Sequence, residues 1–155
     1  MIILNNIVDI TSGHVGKAGE HLVASELLFR GYNASLMSVD VGVDLVATKD
    51  ISTFLFQIKT ATRSSKSYFA YDIRVSSFER HNNSQTYYIF VMRDQGTNFL
   101  ILPYSELKKY IDKKIVKSYG QEKYRINFTL KDDQLFITNR NNDISYYLNN
   151  WDVIC

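Results

Sequence analysis

The stretch GVDLVATKDISTFLFQIKTAT, Gly42 to Thr62, decides how the rest of this chain is read. Side chains alternate between the two faces of an extended strand. Across TFLFQIKTAT, Phe54, Phe56 and Ile58 therefore share one face, and Gln57 and Lys59 share the other. VDLVAT is a second extended run, and the link Lys49 to Ser52 suits a hairpin. Counting across that hairpin sets Asp44 opposite Lys59, with Gln57 two positions away on the same face. Asp44 then stands inside an apolar strand, where a charge needs a partner.

Upstream, SGHVGKAGEHLVASELLFRGYN reads as a helix, with Ser12 as its cap and Gly31 as its stop. Val23, Ala24 and Leu27 follow Glu20 at three, four and seven positions, so Glu20 faces whatever this helix packs on. A short strand, ASLMSV, precedes the hairpin. Downstream, SYFAYDIRV reads as a strand, SSFERHNN as a short helix or turn, and TYYIFVMRD with NFLILPY as a hairpin across QGT. SELKKYIDKKI is an amphipathic helix capped by Ser105, YRINFTL and QLFITN a last hairpin, and DISYYLNNWDVI a closing helix. The order predicts an α/β or α+β fold, a single layer of sheet flanked by helices.

At 155 residues the chain suits one domain over 1–155, a core region 12–75 followed by strands and helices over 84–155. With 45% hydrophobic and 22% charged residues it is globular rather than disordered. A net charge of +2 excludes a bulk polycation but allows a local basic groove. No apolar run is long enough for a membrane helix, and MIILNNIVDI lacks the basic start and cleavage site of a signal peptide. The single cysteine, Cys155, forms no internal disulfide, so a reducing cytoplasm is the expected compartment.

Glu20, Asp44, Gln57 and Lys59 are expected to converge on one side of the sheet. Two carboxylates and an amide oxygen are hard donors of the kind Mg²⁺ or Mn²⁺ takes, with water completing the shell. Such an ion activates water and offsets charge on a phosphodiester, and a lysine beside it orients that water or stabilises the phosphorane oxygens.

The run KAGEHLVASELLFRGYN with GVDLVATKDISTFLFQIKTAT beyond it resembles the PD-(D/E)XK nuclease superfamily, in its Holliday-junction-resolvase-like and restriction-endonuclease-like branches. Position by position, the resemblance makes Glu20 the helix acid, Asp44 the central aspartate and Lys59 the lysine. It covers roughly the first half of the chain. It implies a central mixed β-sheet flanked by helices and Mg²⁺-dependent cleavage of DNA, with Glu20, Asp44 and Gln57 on the metal. The chain departs from the pattern twice: Val43 stands where the name has proline, and Gln57 where the family usually has Glu or Asp. An amide oxygen still ligates metal but brings no charge, so this site leans more on Glu20.

Arg63, Lys66 and Arg74, with Arg80 beyond them and Tyr68, Phe69 and Tyr71 interleaved, form an expected track for a nucleic-acid backbone. The opposing readings are an edge lysine at Lys59, a solvated helix acid at Glu20 and ordinary strand aromatics. The neutral Gln57 also fits a module that kept the scaffold and lost the metal, and the tyrosine-rich end fits a protein-interaction domain. His14 and His21 lack a third ligand at zinc spacing, and GHVGKAGE lacks the spacing of a phosphate loop. Cutting both strands of a duplex calls for two sites, which leaves homo-oligomers open.

Overall fold

A computed structural model describes residues 9–39, 41–63, 68–138 and 141–155. Lys66 and the apolar opening 1–8 lie outside that set. Helix α1 (Ser12–Phe29) starts one residue earlier in register than expected, because Thr11 is its cap. The Thr11 hydroxyl accepts the His14 N–H at 3.4 Å, and the Thr11 N–H donates back to His14 Nδ1 at 3.3 Å. A histidine thus fills the place that Glu usually takes in a capping box. At the far end Gly31 adopts φ +82°. The Tyr32 N–H bonds the Leu27 carbonyl at 3.0 Å, the backward bond that ends a helix at a left-handed glycine.

The chain then runs through β1 (Asn33–Leu36), β2 (Leu45–Lys49), β3 (Ser52–Thr62), β4 (Phe69–Arg74), α2 (Val75–Arg80), β5 (Thr86–Arg93), β6 (Thr97–Pro103), α3 (Tyr104–Asp112), β7 (Lys117–Tyr119), β8 (Lys123–Lys131) and β9 (Gln134–Ile137). Five strands form the central sheet in the order β1-β2-β3-β5-β6. β3 and β5 are parallel and the other neighbours antiparallel, so the sheet is mixed. Residues 86–92 of β5 are all buried, as suits a central strand covered on both faces. Its side chains alternate between two cores. Tyr87, Ile89 and Val91 join Phe56, Ile58, Val23 and Leu27 beneath α1. Tyr88, Phe90 and Met92 join Leu107, Ile126 and Phe128 on the other face. Each such side chain contributes about 1.5–3 kcal/mol by leaving water.

That second face carries more than helices. β4, β7, β8 and β9 build a separate small sheet against it, where the sequence led to a single sheet layer. β4 pairs with β8 across about fifty residues of chain, a partnership that local periodicity cannot reveal. β7 has only three residues, all exposed, and carries no strand signal of its own.

Three local expectations are corrected. Pro103, not Ser105, occupies the N-cap position of α3, with no side-chain cap bond, and the helix already includes Tyr104. The closing helix is replaced by two 3₁₀ turns, Ser145–Tyr147 and Trp151–Val153. Asn149 interrupts it at φ +52° and clasps the edge strand β6: its N–H reaches the Phe99 carbonyl at 2.6 Å, and its Oδ1 takes the Phe99 N–H at 2.8 Å. The Asn pair is a poor helix former, and satisfying the open sheet edge adds to that preference against a helix. In the β2–β3 hairpin the turn is the tight pair Asp50–Ile51, with Asp50 at φ +53°. Leu45 therefore faces Phe56, and Asp44 comes level with Gln57 rather than Lys59. A slip of two residues preserves the face while changing the partner.

Candidate active site

Asp44 sits just before β2, where the ladder with β3 stops at Leu45–Phe56. Its N–H still donates to the Phe56 carbonyl at 2.9 Å. Its side chain then does what a backbone carbonyl would do next, for Oδ2 accepts the Ile58 N–H at 2.7 Å. That contact anchors the carboxylate on the residue between Gln57 and Lys59. Asp44 also lies close enough to Tyr88 for its charge to help keep that hydroxyl protonated, after burial and Tyr104. Tyr88 is the β5 neighbour of Gln57, so Asp44 belongs to the Gln57 side of the sheet.

Gln57 is buried. Its Nε2 donates weakly to Ser77 Oγ at 3.5 Å, and its Oε1 is buried with no hydrogen-bond partner. A buried acceptor left without a donor costs about 1–3 kcal/mol. Such an atom calls for a function or a ligand. Gln57 and Lys59 both line a groove of about 380 Å³ between β3, β4 and α2. Arg74, Arg80 and Lys123 line it as well, and Asp72 is the one acid among the described residues that line it. Asp72 is already engaged: Arg125 donates from Nε at 2.9 Å and Nη2 at 3.1 Å. That hydrogen bond first, then the charges of Arg125, Lys123 and Lys59, hold the Asp72 carboxyl below its usual range. The groove is thus a cationic cleft with Gln57 in its wall, the amide oxygen buried just behind the surface.

The groove's other wall depends on Gly42, at φ +92°. A Cβ there would come within 2.3 Å of Ser77 Oγ and 2.8 Å of His81 Nε2. His81 Nε2 donates to the Val41 carbonyl at 2.9 Å and pins the same loop. Gly42→Ala is expected to cost at least about 1–2 kcal/mol through the left-handed backbone, and more because the Ser77 hydroxyl can rotate aside but the His81 ring, held on the Val41 carbonyl, must give way. The midpoint of urea unfolding measures it, and an unshifted midpoint refutes the strain assigned to this loop.

Glu20 is buried, as its helical stripe implied. Its carboxylate accepts from Lys17 Nζ at 2.7 Å. Helix α1, however, packs on the Phe56–Ile58 face, opposite the groove. Its neighbour Gly19 rests on Thr60, so Glu20 stands near the level of Lys59 along β3. Gln57 and Lys59 therefore share the groove, Asp44 is anchored on the residue between them without lining it, and Glu20 approaches the same strand from the other layer. β3 is unpaired by β2 beyond Phe56, and an open edge, unlike a face, can be reached from both layers. Among the described residues no three Asp, Glu, His or Cys side chains cluster as a ready metal site. An amide oxygen and an anchored carboxylate are nevertheless hard donors of the kind a divalent cation prefers, and the Gln57 oxygen, buried as it stands, reaches such an ion only when its side chain turns.

Of the expected nucleic-acid track, Arg74 and Arg80 line the groove. Arg63 pairs with Asp94 at 2.7 Å near the end of β3 instead. Lys123, Asp72 and Ser77 join the groove without having been singled out from sequence. The alternation in YDIR and KYRIN puts charges on one face of each strand, but only their pairing brings those faces to the groove.

No protein-family model matches the sequence, and no curated protein is similar to it at the level of sequence. The fold does have counterparts. A bacterial homing endonuclease, I-Ssp6803I, superposes with a TM-score of 0.65 at 17% identity, over 93% of this chain and 91% of that one. D212, a nuclease from a fusselovirus, gives 0.53 at 16% identity, over 77% of this chain and 85% of that one. Hjc, a Holliday junction resolvase of Archaeoglobus fulgidus, aligns more loosely, at 0.49 and 11% identity over 72% of this chain and 82% of that one. The architecture is the restriction-endonuclease-like fold, a mixed sheet flanked by helices. Among the described residues no helix is long and apolar enough to cross a membrane.

Proposed function

We propose that this chain is a divalent-metal-dependent DNA endonuclease whose working groups are Asp44, Gln57 and Lys59, with Glu20 as a further acid. One observation carries the reading. In a nuclease fold, a buried amide with an unpartnered oxygen and a lysine line a cationic groove side by side, with an anchored carboxylate on the residue between them. Such a groove collects a phosphodiester backbone.

Asp44, Gln57 and Glu20 would hold Mg²⁺ or Mn²⁺, which supplies charge neutralisation and an acidified water. The Ile58 N–H fixes the Asp44 carboxylate in one orientation, so no reorganisation is needed when substrate arrives. Lys59 orients the attacking water or stabilises the phosphorane oxygens. Arg74, Arg80 and Lys123 hold phosphates, and Asp72 is kept from opposing them by Arg125.

Asp44→Asn tests the reading, because an amide oxygen can still accept the Ile58 N–H while the charge is gone. Nicking of supercoiled DNA with Mg²⁺ or Mn²⁺ is expected to fall about 100-fold or more. Calorimetric Mn²⁺ binding should weaken in parallel, with the melting temperature nearly unchanged. Undiminished nicking would defeat the assignment. Metal binding indifferent to the substitution would instead mark a scaffold that binds without cutting.

A further inference from the structure

β4 and β8 alternate between core and solvent. Tyr71, Ile73, Ile126 and Phe128 point inward, and Asp72, Arg74, Lys123 and Arg125 occupy the outer side. The register sets Asp72 opposite Arg125 and Arg74 opposite Lys123. β7 widens this face, with Lys117 level with Arg125 and Tyr119 level with Lys123. Four cations therefore surround one acid on three adjacent strands, and that acid is paired.

Arg125 is held before any ligand arrives. Asp72 takes Nε and Nη2, and the guanidinium lies over the Tyr119 ring, 4.8 Å from its centre. Fixing a long side chain in advance lowers the ordering cost of binding. Arginine carries five donors, so this grip leaves the Nη1 donors uncommitted to Asp72. Asp72, Arg74 and Lys123 also line the groove that holds Lys59, which makes face and groove one continuous surface. A two-stranded ribbon such as β8–β7, its strands about 4.8 Å apart, is narrow enough for a major groove about 12 Å wide.

We propose that the outer β4–β8–β7 face docks duplex DNA beside the groove: Arg74, Lys117 and Lys123 meet phosphates, and Arg125 offers its remaining edge to a base in the major groove. This rests on the nuclease reading and assigns the part of the chain that recognises the substrate.

Fluorescence anisotropy with a labelled DNA duplex, without divalent cation and over a range of salt, tests it. Lys117→Ala and Lys123→Ala should each weaken binding about five- to tenfold near 0.1 M salt and lower the salt slope by about 1. Lys49→Gln, at the far hairpin turn, serves as the control and should bind as the parent does. Arg125→Lys should keep the salt slope but lose, by roughly ten- to 100-fold, the discrimination at one base position in a selection from randomised duplexes. Equal binding to an RNA duplex, whose major groove is too narrow and deep for a sheet, overturns the docking. If the parent cuts DNA and the face variants bind like it, this face is wrong and the nuclease reading stands. If the parent neither binds nor cuts, both fall.

Discussion

Lys59→Ala is expected to lower Mg²⁺-dependent DNA cleavage by about 10²- to 10⁴-fold, the usual contribution of a group that orients or deprotonates a reacting water. The fold should survive the change. Lys59 is only part-buried on β3, and the carboxylate it helps to stabilise, Asp72, keeps Arg125 at 2.9 Å and Lys123 at 4.0 Å. Lys59→Arg separates two roles. An arginine still supplies a cation near the phosphorane oxygens, but it does not give up a proton near neutral pH. Partial activity in the arginine variant assigns charge stabilisation, and none assigns proton transfer. A plasmid-nicking time course beside a thermal melt provides both measurements. Wild-type cleavage by the alanine variant would remove Lys59 from the mechanism.

Gly19→Ala is expected to reverse its usual sign. Within a helix this change ordinarily stabilises by about 0.5–1 kcal/mol, because alanine loses less backbone freedom on folding. Here the added Cβ would stand 1.8 Å from Thr60 Oγ1, 2.9 Å from Thr60 Cβ and 3.2 Å from Thr60 Cγ2. Rotating a stiff β-branched side chain exchanges one clash for another, so α1 must lift from β3. A loss of about 3 kcal/mol is expected, the upper end of overpacking costs. Cleavage should fall as well, since Glu20 moves with the helix. Thr60→Ala removes a buried hydroxyl that has no partner and clears the two closest side-chain ends. The double variant should therefore recover part of the loss, a coupling between touching residues. Urea midpoints for the four proteins complete the cycle, and a Gly19→Ala variant as stable as the parent contradicts a close α1–β3 contact.

Much of the candidate site was legible in the strand alone. Period-two alternation separates Gln57 and Lys59 from Phe54, Phe56 and Ile58, whatever the strand pairs with. The placement of Asp44 was legible only to its face. Which residue it meets depends on how tightly the chain turns at Asp50–Ile51, and its bond to the Ile58 N–H arises because β2 stops one residue short. The arginines divided for a similar reason. Arg74 and Arg80 reach the groove, while Arg63 finds a partner from β5's end in Asp94.

By itself the sequence determined the features set by near neighbours along the chain: the capped and glycine-stopped first helix, its buried Glu20, the hairpin, and an amide and an ammonium on one strand face. Only the tertiary structure decided that β4 would find β8 fifty residues on, that their charged faces would wall the groove, and that α1 would approach β3 from the opposite layer. Periodicity fixes which side of an element is apolar. Which distant element covers that side depends on packing shape and on satisfying open sheet edges, and neither is written in any local stretch of residues.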